Sequence, residues 1–223
     1  MNWARIRWAP WLDTRAKFVA AAPPGAHFLD IGSSTGETLG HIAELRPDFK
    51  FYSTDLAGYP EKYPQGCQFH RGNLEKDPLP WPDASLNAIT CMHLVEHLSD
   101  HKLLFSEVAR LLKPGGKIYV ETPHPRSLTL SSAKGSQLST FTLNFHDDLT
   151  HVKILTMGGL AKYVETAGLQ VLESGISRNW LFAASHLLYM FLPPSRQKYT
   201  AKVNWLGWTA YLIAQRPRQA FPN

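Results

Sequence analysis

A run of small residues between Gly32 and Gly36 interrupts the sequence FLDIGSSTGETL (28–39), directly after an apolar segment typical of a buried strand. A loop without bulky side chains that leads from a strand into a helix lets a ligand lie against backbone N–H groups at the helix N-terminus. The next strand-like segment, FYSTD, ends in Asp55, nineteen residues after Gly36, where a carboxylate that binds a ribose is expected. Together these features predict a nucleotide-binding site.

A second group of reactive side chains lies in the sequence HDDLTH (146–151). A histidine that is paired with an aspartate can remove the proton of a hydroxyl group. We predict His146 or His151 as such a base, and the sequence does not distinguish between them. Asp147 or Asp148 would orient the imidazole. Two alternatives stay open: the aspartates cap a turn while the histidines pack against other elements, or the cluster binds a divalent metal.

His93, Glu96 and His97 spell H-x-x-E-H, which on a helix would place two zinc ligands one turn apart with a general base between them. The string comes directly after a strand of the α/β pattern described below, and no third ligand is obvious at helical spacing downstream. This context disfavours a zinc peptidase, and we predict no bound metal.

Alternating strand-like and helix-like segments must position these side chains. Apolar periodicity and turn residues predict strands at 27–31, 50–54, 68–70, 86–91, 117–122, 170–176 and 208–215. They predict helices before Pro23 and at 36–45, 100–112 and 157–167, with an irregular helical segment at 180–206. Such alternation builds a doubly wound, largely parallel sheet, and the 223 residues are predicted to form one domain, 1–223.

Charge and composition restrict the setting in which the chain works. Two cysteines are too few for a disulfide framework, no signal peptide is recognised, and the longest apolar run (181–192) is too short to span a bilayer. We therefore expect a cytoplasmic protein that is soluble or at most peripheral to a membrane. No acidic residue follows Glu173, and basic residues there alternate with aromatic ones. This segment either contacts anionic lipid or a phosphorylated substrate, or forms a solvated rim.

Several motifs occur in a fixed order: LDIGSSTG (29–36), STDLAG (53–58), GNLEKDPLPWPDASLNAITCMHLVEHLSD (72–100), LLKPGGKIYVETP (111–123), HDDLTH (146–151) and AYLIAQRP (210–217). In order and spacing they resemble the class I S-adenosylmethionine-dependent methyltransferases, of the broad group that includes small-molecule and sugar O-methyltransferases. The resemblance implies S-adenosylmethionine as cofactor. It also implies a Rossmann-like, seven-stranded, mostly parallel sheet whose last strand is antiparallel, with a hydrophobic helical lid at about 179–206.

The same resemblance assigns roles to individual residues. It puts Asp30 near the amino group of the cofactor's methionine, Asp55 on the ribose hydroxyls and Asn73 on the adenine amino group. Ser34 departs from the family pattern, in which a glycine is more usual there. His93 is expected to line the acceptor pocket, together with a loop at about 123–151. The full set of predicted cofactor-binding residues is Asp30, Gly32, Ser33, Ser34, Gly36, Asp55, Leu56, Asn73, Leu74 and Cys91.

These features predict methyl transfer to a hydroxyl of a small molecule or of a sugar-containing glycan precursor. The predicted catalytic residues are His146, Asp147, His151 and His93. Alternatives are an N-methyltransferase, a nucleic-acid methyltransferase and a cofactor-binding regulatory protein of the same fold. Nucleic acid is disfavoured because the basic residues are scattered through an apolar segment. That segment would suit a lipid-linked saccharide at a membrane surface. A nicotinamide-binding protein is also disfavoured, because it would favour glycine at position 34.

Overall fold

A seven-stranded sheet forms the centre of the computed structural model, which describes residues 3–131 and 143–218. The strands are β1 (His27–Ile31), β2 (Lys50–Asp55), β3 (Gln68–Arg71), β4 (Leu86–Met92), β5 (Leu112–Pro123), β6 (Gln170–Ser177) and β7 (Thr209–Gln215). Their order across the sheet is β3-β2-β1-β4-β5-β7-β6. Neighbours pair in parallel except β7, which runs antiparallel to both β5 and β6. The predicted doubly wound sheet, with its last strand antiparallel, is confirmed.

Helices cover both faces of this sheet. They are α1 (Thr14–Ala20), α2 (Glu37–Leu45), α3 (Lys102–Leu111), α4 (Met157–Thr166), α5 (Trp180–Tyr189) and α6 (Arg196–Leu206). Buried residues of α1 and α2 pack in one apolar cluster and those of α3 and α4 in another, as a two-sided core requires. In the described part of the chain, no helix is both long and apolar enough to cross a bilayer.

Two elements differ from the sequence prediction. The irregular segment predicted at 180–206 consists of two helices, α5 and α6. Asn179 and Ser195 begin them, each accepting a backbone N–H with its side-chain oxygen. β5 begins at Leu112 rather than at 117, because Leu112 pairs with Leu86 before the register shifts. Gly115, with φ +81°, permits this irregular stretch.

The strand order reverses between β1 and β4. From β1 the chain continues outward to β2 and β3, whereas β4 leads to β5 on the other side. The loops after β1 and β4 therefore separate at this point and leave a crevice beyond the carboxyl ends of the strands, where ligands bind in open α/β sheets. The predicted glycine loop and His93 both lie there. Of the predicted acceptor loop (123–151), residues 132–142 lie outside the described residues.

Candidate active site

The loop after β1 adopts a conformation that requires small residues. Gly32 and Gly36 both have φ of +78°, and Ser34 has φ of +42°, a left-handed conformation that glycine adopts more easily. The left-handed conformation explains why glycine is more usual at the position of Ser34 in the family that the sequence resembles. The Gly32 N–H donates to the Thr54 carbonyl at 2.8 Å, which ties the loop to the end of β2.

The side chain of Tyr63 contacts this loop and forms two hydrogen bonds with it. Its hydroxyl accepts a hydrogen bond from the Ser33 hydroxyl and donates one to the Ser34 carbonyl, each at 2.9 Å. A Cβ atom at Gly36 would lie only 2.4 Å from the Tyr63 ring. Sequence analysis did not identify Tyr63, because its role depends on contacts between residues about thirty positions apart.

Asp30, at the end of β1, is the buried acid of the cavity next to this loop. It is only 3% exposed, and the Thr90 hydroxyl donates to its carboxylate at 2.7 Å. Burial raises the pKa of Asp30 to about 7, with the charge of Asp55 acting in the same direction and the Thr90 hydrogen bond opposing them. The cavity measures about 350 Å³ and is lined by Arg15, Asp30, Gly32, Ser33, Ser34, Thr35, Glu37, Thr38, Met92 and His93.

Asp55 lies beside the same loop. One of its oxygens accepts the Ser34 N–H at 2.8 Å, and the other accepts the N–H groups of Ala57 and Gly58 at 2.9 and 3.3 Å. Asp55 therefore holds the glycine loop and the β2–β3 loop together.

The other predicted cofactor-binding residues do not line this cavity. The side-chain oxygen of Asn73 accepts the Glu75 N–H at 2.9 Å, so Asn73 stabilises its own turn. Leu56 is 69% exposed, whereas Leu74 and Cys91 are buried in the core.

A charged network that sequence analysis missed lies at the end of β5. Glu121 is completely buried, and the Arg15 guanidinium donates to both of its oxygens at 2.8 to 2.9 Å. Burial alone would raise the pKa of Glu121, but the charge and hydrogen bonds of Arg15 keep it below its usual range. Glu121 is thus an anion, and Tyr119 also donates to it.

His93 connects this network to the loop after β4. Its backbone is left-handed, with φ of +53°. Its Nδ1 lies 3.1 Å from Glu96 Oε1, and its Nε2 lies 3.7 Å from Glu121 Oε2. The imidazole is therefore held between two buried carboxylates, next to the Trp208 ring.

A larger cavity of about 710 Å³ adjoins the first beneath α5 and α6. Arg15, Glu37, Thr38 and His93 line both cavities. Apolar side chains, Trp3, Phe182, Val203 and Trp208, line part of the rest. Polar side chains from the start of α1, from α6 and from the segment before α5 line the remainder, among them Asp13, Arg178, Asn179, Arg196, Thr200 and Asn204.

The residues at 146–151 that were predicted to supply the base do not line these two cavities. His146 is exposed, and Asp147 accepts the N–H groups of Leu143 and Asn144 in a capping arrangement. His151 is largely buried, stacked on Phe145, with its Nδ1 2.6 Å from the Phe145 carbonyl. None of these three predicted catalytic residues lines either of the two cavities.

A match to a known protein family is consistent with the fold and with the crevice described above. A family model described as a methyltransferase domain matches residues 3–174, more than half of the chain. The chain belongs to the class I S-adenosylmethionine-dependent methyltransferases. The cofactor of this methyltransferase family is S-adenosylmethionine, as predicted. In open α/β sheets ligands bind in the crevice beyond the carboxyl ends of the strands at the point where the strand order reverses, which here lies between β1 and β4.

Curated methyltransferases are similar in sequence to this chain over part of their length. A probable S-adenosylmethionine-dependent methyltransferase of Mycolicibacterium smegmatis is 29% identical over 150 residues, which cover 66% of this chain and 53% of the relative. A demethylmenaquinone methyltransferase of Deinococcus radiodurans is 30% identical over 165 residues, covering 68% of this chain and 65% of the relative. The chain thus spans between half and two thirds of the length of these relatives.

A solved structure supports the fold alone. An S-adenosylmethionine-dependent methyltransferase from Mesorhizobium loti superposes with a TM-score of 0.63 at 18% identity, covering 94% of this chain and 98% of that one.

Proposed function

We propose that this methyltransferase transfers a methyl group from S-adenosylmethionine to a hydroxyl of a small molecule held in the 710 Å³ cavity. The observation that carries the proposal is the sharing of four lining residues between this cavity and the one at the glycine loop. A cofactor in the smaller cavity and an acceptor in the larger would meet at His93. Sites of a few hundred Å³ are typical for small ligands.

The cofactor site is proposed to use the residues that the sequence suggested. The carboxylate of Asp30 would bind the ammonium of the methionine moiety, and the loop from Gly32 to Gly36 would lie beneath its backbone. Asp55 would exchange some of its contacts with backbone N–H groups for the two ribose hydroxyls. Asn73 would bind the adenine amino group with the second lone pair of its side-chain oxygen. Leu56, Leu74 and Cys91 would border the adenine.

His93 is the proposed base. When bound, S-adenosylmethionine supplies a methyl group already activated by its sulfonium leaving group. The protein's contribution is then to align the acceptor oxygen and to take up its proton. His93 lines both cavities, and donation of its Nδ1–H to Glu96 would leave Nε2 free to accept that proton. His146 and His151, oriented by Asp147, remain the alternative candidates.

The polarity of the larger cavity favours an acceptor that carries an anionic or hydroxyl-rich part. Arg178 and Arg196 line it together with several amide side chains, whereas the Arg15 guanidinium is already paired with Glu121. Guanidinium groups bind carboxylates and phosphates through paired hydrogen bonds. The Deinococcus relative is named for methylation of demethylmenaquinone, which is consistent with a small-molecule acceptor. A saccharide is equally compatible with this lining.

The outer face of the lid is proposed to contact anionic membrane lipids. Leu188 and Phe191, near the end of α5, are 74% and 82% exposed, and Arg196 follows closely. Exposed apolar side chains beside basic ones are typical of contact with a membrane interface.

Co-sedimentation with lipid vesicles tests this contact, and the protein should bind vesicles that contain anionic lipid but not neutral ones. This binding should weaken in a Leu188→Ser/Phe191→Ser variant but not in Leu149→Ser, which removes another highly exposed leucine. Equal sedimentation of all three would contradict this proposal.

Calorimetric titration with S-adenosylhomocysteine tests the cofactor site. We expect saturable binding that is at least tenfold weaker in Asp55→Ala, with no binding of NAD. Asp55→Asn keeps one acceptor oxygen and should give an intermediate affinity, while thermal denaturation checks that both variants are folded. Unchanged affinity in Asp55→Ala would contradict the assigned ribose contact.

An acceptor screen followed by substitution tests the base. His93→Gln should reduce turnover about 100-fold or more, while the affinity for S-adenosylhomocysteine changes less than twofold. If His146→Ala or His151→Ala loses turnover while His93→Gln keeps it, the base lies in the 146–151 cluster. Cofactor binding without turnover of any hydroxyl, amine or nucleic-acid acceptor would favour a regulatory protein of the same fold.

A further inference from the structure

We propose that Glu96, His97 and His151 form a zinc site next to the active site. One potential ligand atom from each of these residues lies within 4.8 Å of the other two. A carboxylate and two imidazoles are an ordinary ligand set for Zn²⁺, whereas Mg²⁺ and Ca²⁺ prefer oxygen ligands alone.

The backbone brings the three ligands together from two distant parts of the chain. Glu96 and His97 lie on a short turn of 3₁₀ helix, Val95–His97, directly after β4. His151 belongs to the segment that precedes α4. The N–H groups of Val152 and Lys153 donate to the Glu96 carbonyl at 2.8 and 3.2 Å, which fixes this segment against the turn.

Both imidazoles are already oriented as zinc ligands usually are. His151 Nδ1 lies 2.6 Å from the Phe145 carbonyl, and His97 Nδ1 lies 3.1 Å from the Thr150 carbonyl. A metal-binding histidine typically donates one ring N–H to such an acceptor, which fixes the tautomer and leaves the other nitrogen for the metal. In both residues that arrangement leaves Nε2.

The Glu96 carboxylate provides an independent indication. Glu96 is completely buried, and its Oε2 has no hydrogen-bond partner among the described residues, while Oε1 lies near His93. A buried carboxylate oxygen without a partner is costly, and a cation bound there would remove that cost. Neither His97 nor His151 forms a hydrogen bond with this oxygen.

A zinc ion would fit the three ligand atoms after side-chain adjustment. A tetrahedral centre with bonds of about 2.1 Å separates its ligand atoms by roughly 3.4 Å. The present separations all lie within 4.8 Å, so the widest of them would shrink by at most roughly 1.4 Å. Asp148 Oδ2, 3.8 Å from His151 Nε2, or a water molecule would complete the coordination.

The ligand set differs from that of a zinc peptidase. The H-x-x-E-H string does not form two turns of an α-helix, and His93, its first histidine, is not a member of the proposed site. The metal would instead connect the segment before α4 to the end of β4. It would also fix Glu96, the carboxylate that contacts His93. The inference stands on these contacts and does not depend on the proposed methyl transfer.

Titration of the EDTA-treated, full-length protein with Co²⁺ tests the site. Tetrahedral Co²⁺ absorbs visible light, so the wild type should develop one equivalent of an absorbing complex that Zn²⁺ displaces. His97→Ala and His151→Ala should each weaken Co²⁺ binding at least tenfold. His146→Ala, which removes an exposed histidine nearby, should bind Co²⁺ as the wild type does.

Thermal denaturation provides a second readout. Zn²⁺ should raise the melting temperature of the wild type and of His146→Ala but not of His151→Ala, because binding to the native state alone is stabilising. The histidine variants carry the test, since replacing the buried Glu96 could itself prevent folding. Absence of a stoichiometric Co²⁺ complex, or equal binding by wild type and His151→Ala, would overturn the proposal.

Discussion

Asp30 illustrates a conflict between stability and binding at a single residue. Burial raises its pKa to about 7, so the folded protein retains a proton that the unfolded chain releases near pH 4. The stability that depends on this proton is therefore present at low pH and is lost as the pH rises to about 7. The ionised form is nevertheless the one that should bind the cofactor's ammonium group.

Substitution of Asp30 by asparagine should separate these two effects. We expect Asp30→Asn to raise the melting temperature by several degrees at pH 8 but not at pH 4, and to weaken S-adenosylhomocysteine binding at least tenfold. Wild-type affinity for this ligand should decline below pH 7. Asp48→Asn is a control for which we expect a stability change of the opposite sign. Hydrogen bonds from Arg46 lower the pKa of Asp48, so loss of the Asp48 carboxylate should slightly reduce the stability of the protein at pH 8. A wild-type affinity that does not change between pH 6 and pH 8 would exclude Asp30 as the ammonium ligand.

The ion pair between Arg15 and Glu121 should also contribute to the stability of the protein. Arg15→Ala would leave the Glu121 carboxylate buried without its main partner. Breaking a fully buried pair costs roughly 3–5 kcal/mol, and the cost here should be smaller because the Arg15 side chain is 35% exposed. Urea denaturation should show that Arg15→Met/Glu121→Gln is more stable than Arg15→Ala. Equal stability of these two variants would show that the buried charge is not the cause.

Sequence analysis identified acids and histidines at strand ends but missed this pair. Arg15 lies 106 positions from Glu121, and an arginine in an N-terminal helix gives no signal of a partner in β5. The cluster at 146–151 is the converse case. Its residue types suggested a catalytic base, yet Asp147 caps a turn and neither His146 nor His151 lines either of the two cavities. Residue type and spacing thus predict which groups are reactive, whereas tertiary contacts decide which of them face a cavity.

At the level of elements, the strand–loop–helix unit at the start of α2 depends on one glycine. Gly36 has φ of +78°, and an added Cβ would lie 2.4 Å from the Tyr63 ring. Gly36→Ala should therefore destabilise the protein by more than 1 kcal/mol and weaken S-adenosylhomocysteine binding.

Gly40 offers a matched control in the same helix. No atom of the described residues lies within 4 Å of a Cβ added there, so Gly40→Ala should stabilise the protein by about 0.5–1 kcal/mol and leave the cofactor affinity unchanged. Equal effects of the two substitutions in chemical denaturation and calorimetry would show that the contact with Tyr63 is unimportant.

The elements themselves were largely predictable because their signals are local. All seven strands were expected close to their observed positions, since β-branched and apolar runs between turn residues mark strands. The lid was not resolved into α5 and α6, because apolar residues surround α5 without a clear polar face. The early start of β5 depends on pairing with Leu86, which no local pattern reveals.

At the scale of the whole molecule, the segment before α1 and the segment before α5 meet at the larger cavity. Asp13 caps α1 through the N–H groups of Arg15 and Ala16, and its other oxygen accepts the Asn179 side-chain N–H at 2.8 Å. Asn179 in turn begins α5. This buried contact, between residues 166 positions apart, fixes the lid to the N-terminal helix.

Loss of this contact should loosen the lid without disturbing the cofactor site. Asn179→Ala removes the cap of α5 and leaves the buried Asp13 oxygen without this donor, so we expect a loss of roughly 2–4 kcal/mol in urea denaturation. The control Ser195→Ala removes only the cap of α6 and should cost about 1 kcal/mol.

Because Asn179 and Asn204 border the larger cavity, Asn179→Ala should also raise the KM for the acceptor several-fold. Its affinity for S-adenosylhomocysteine should stay within twofold of wild type, since the smaller cavity does not include Asn179. A parallel loss of cofactor affinity would instead mean that the lid and the glycine loop act as one unit.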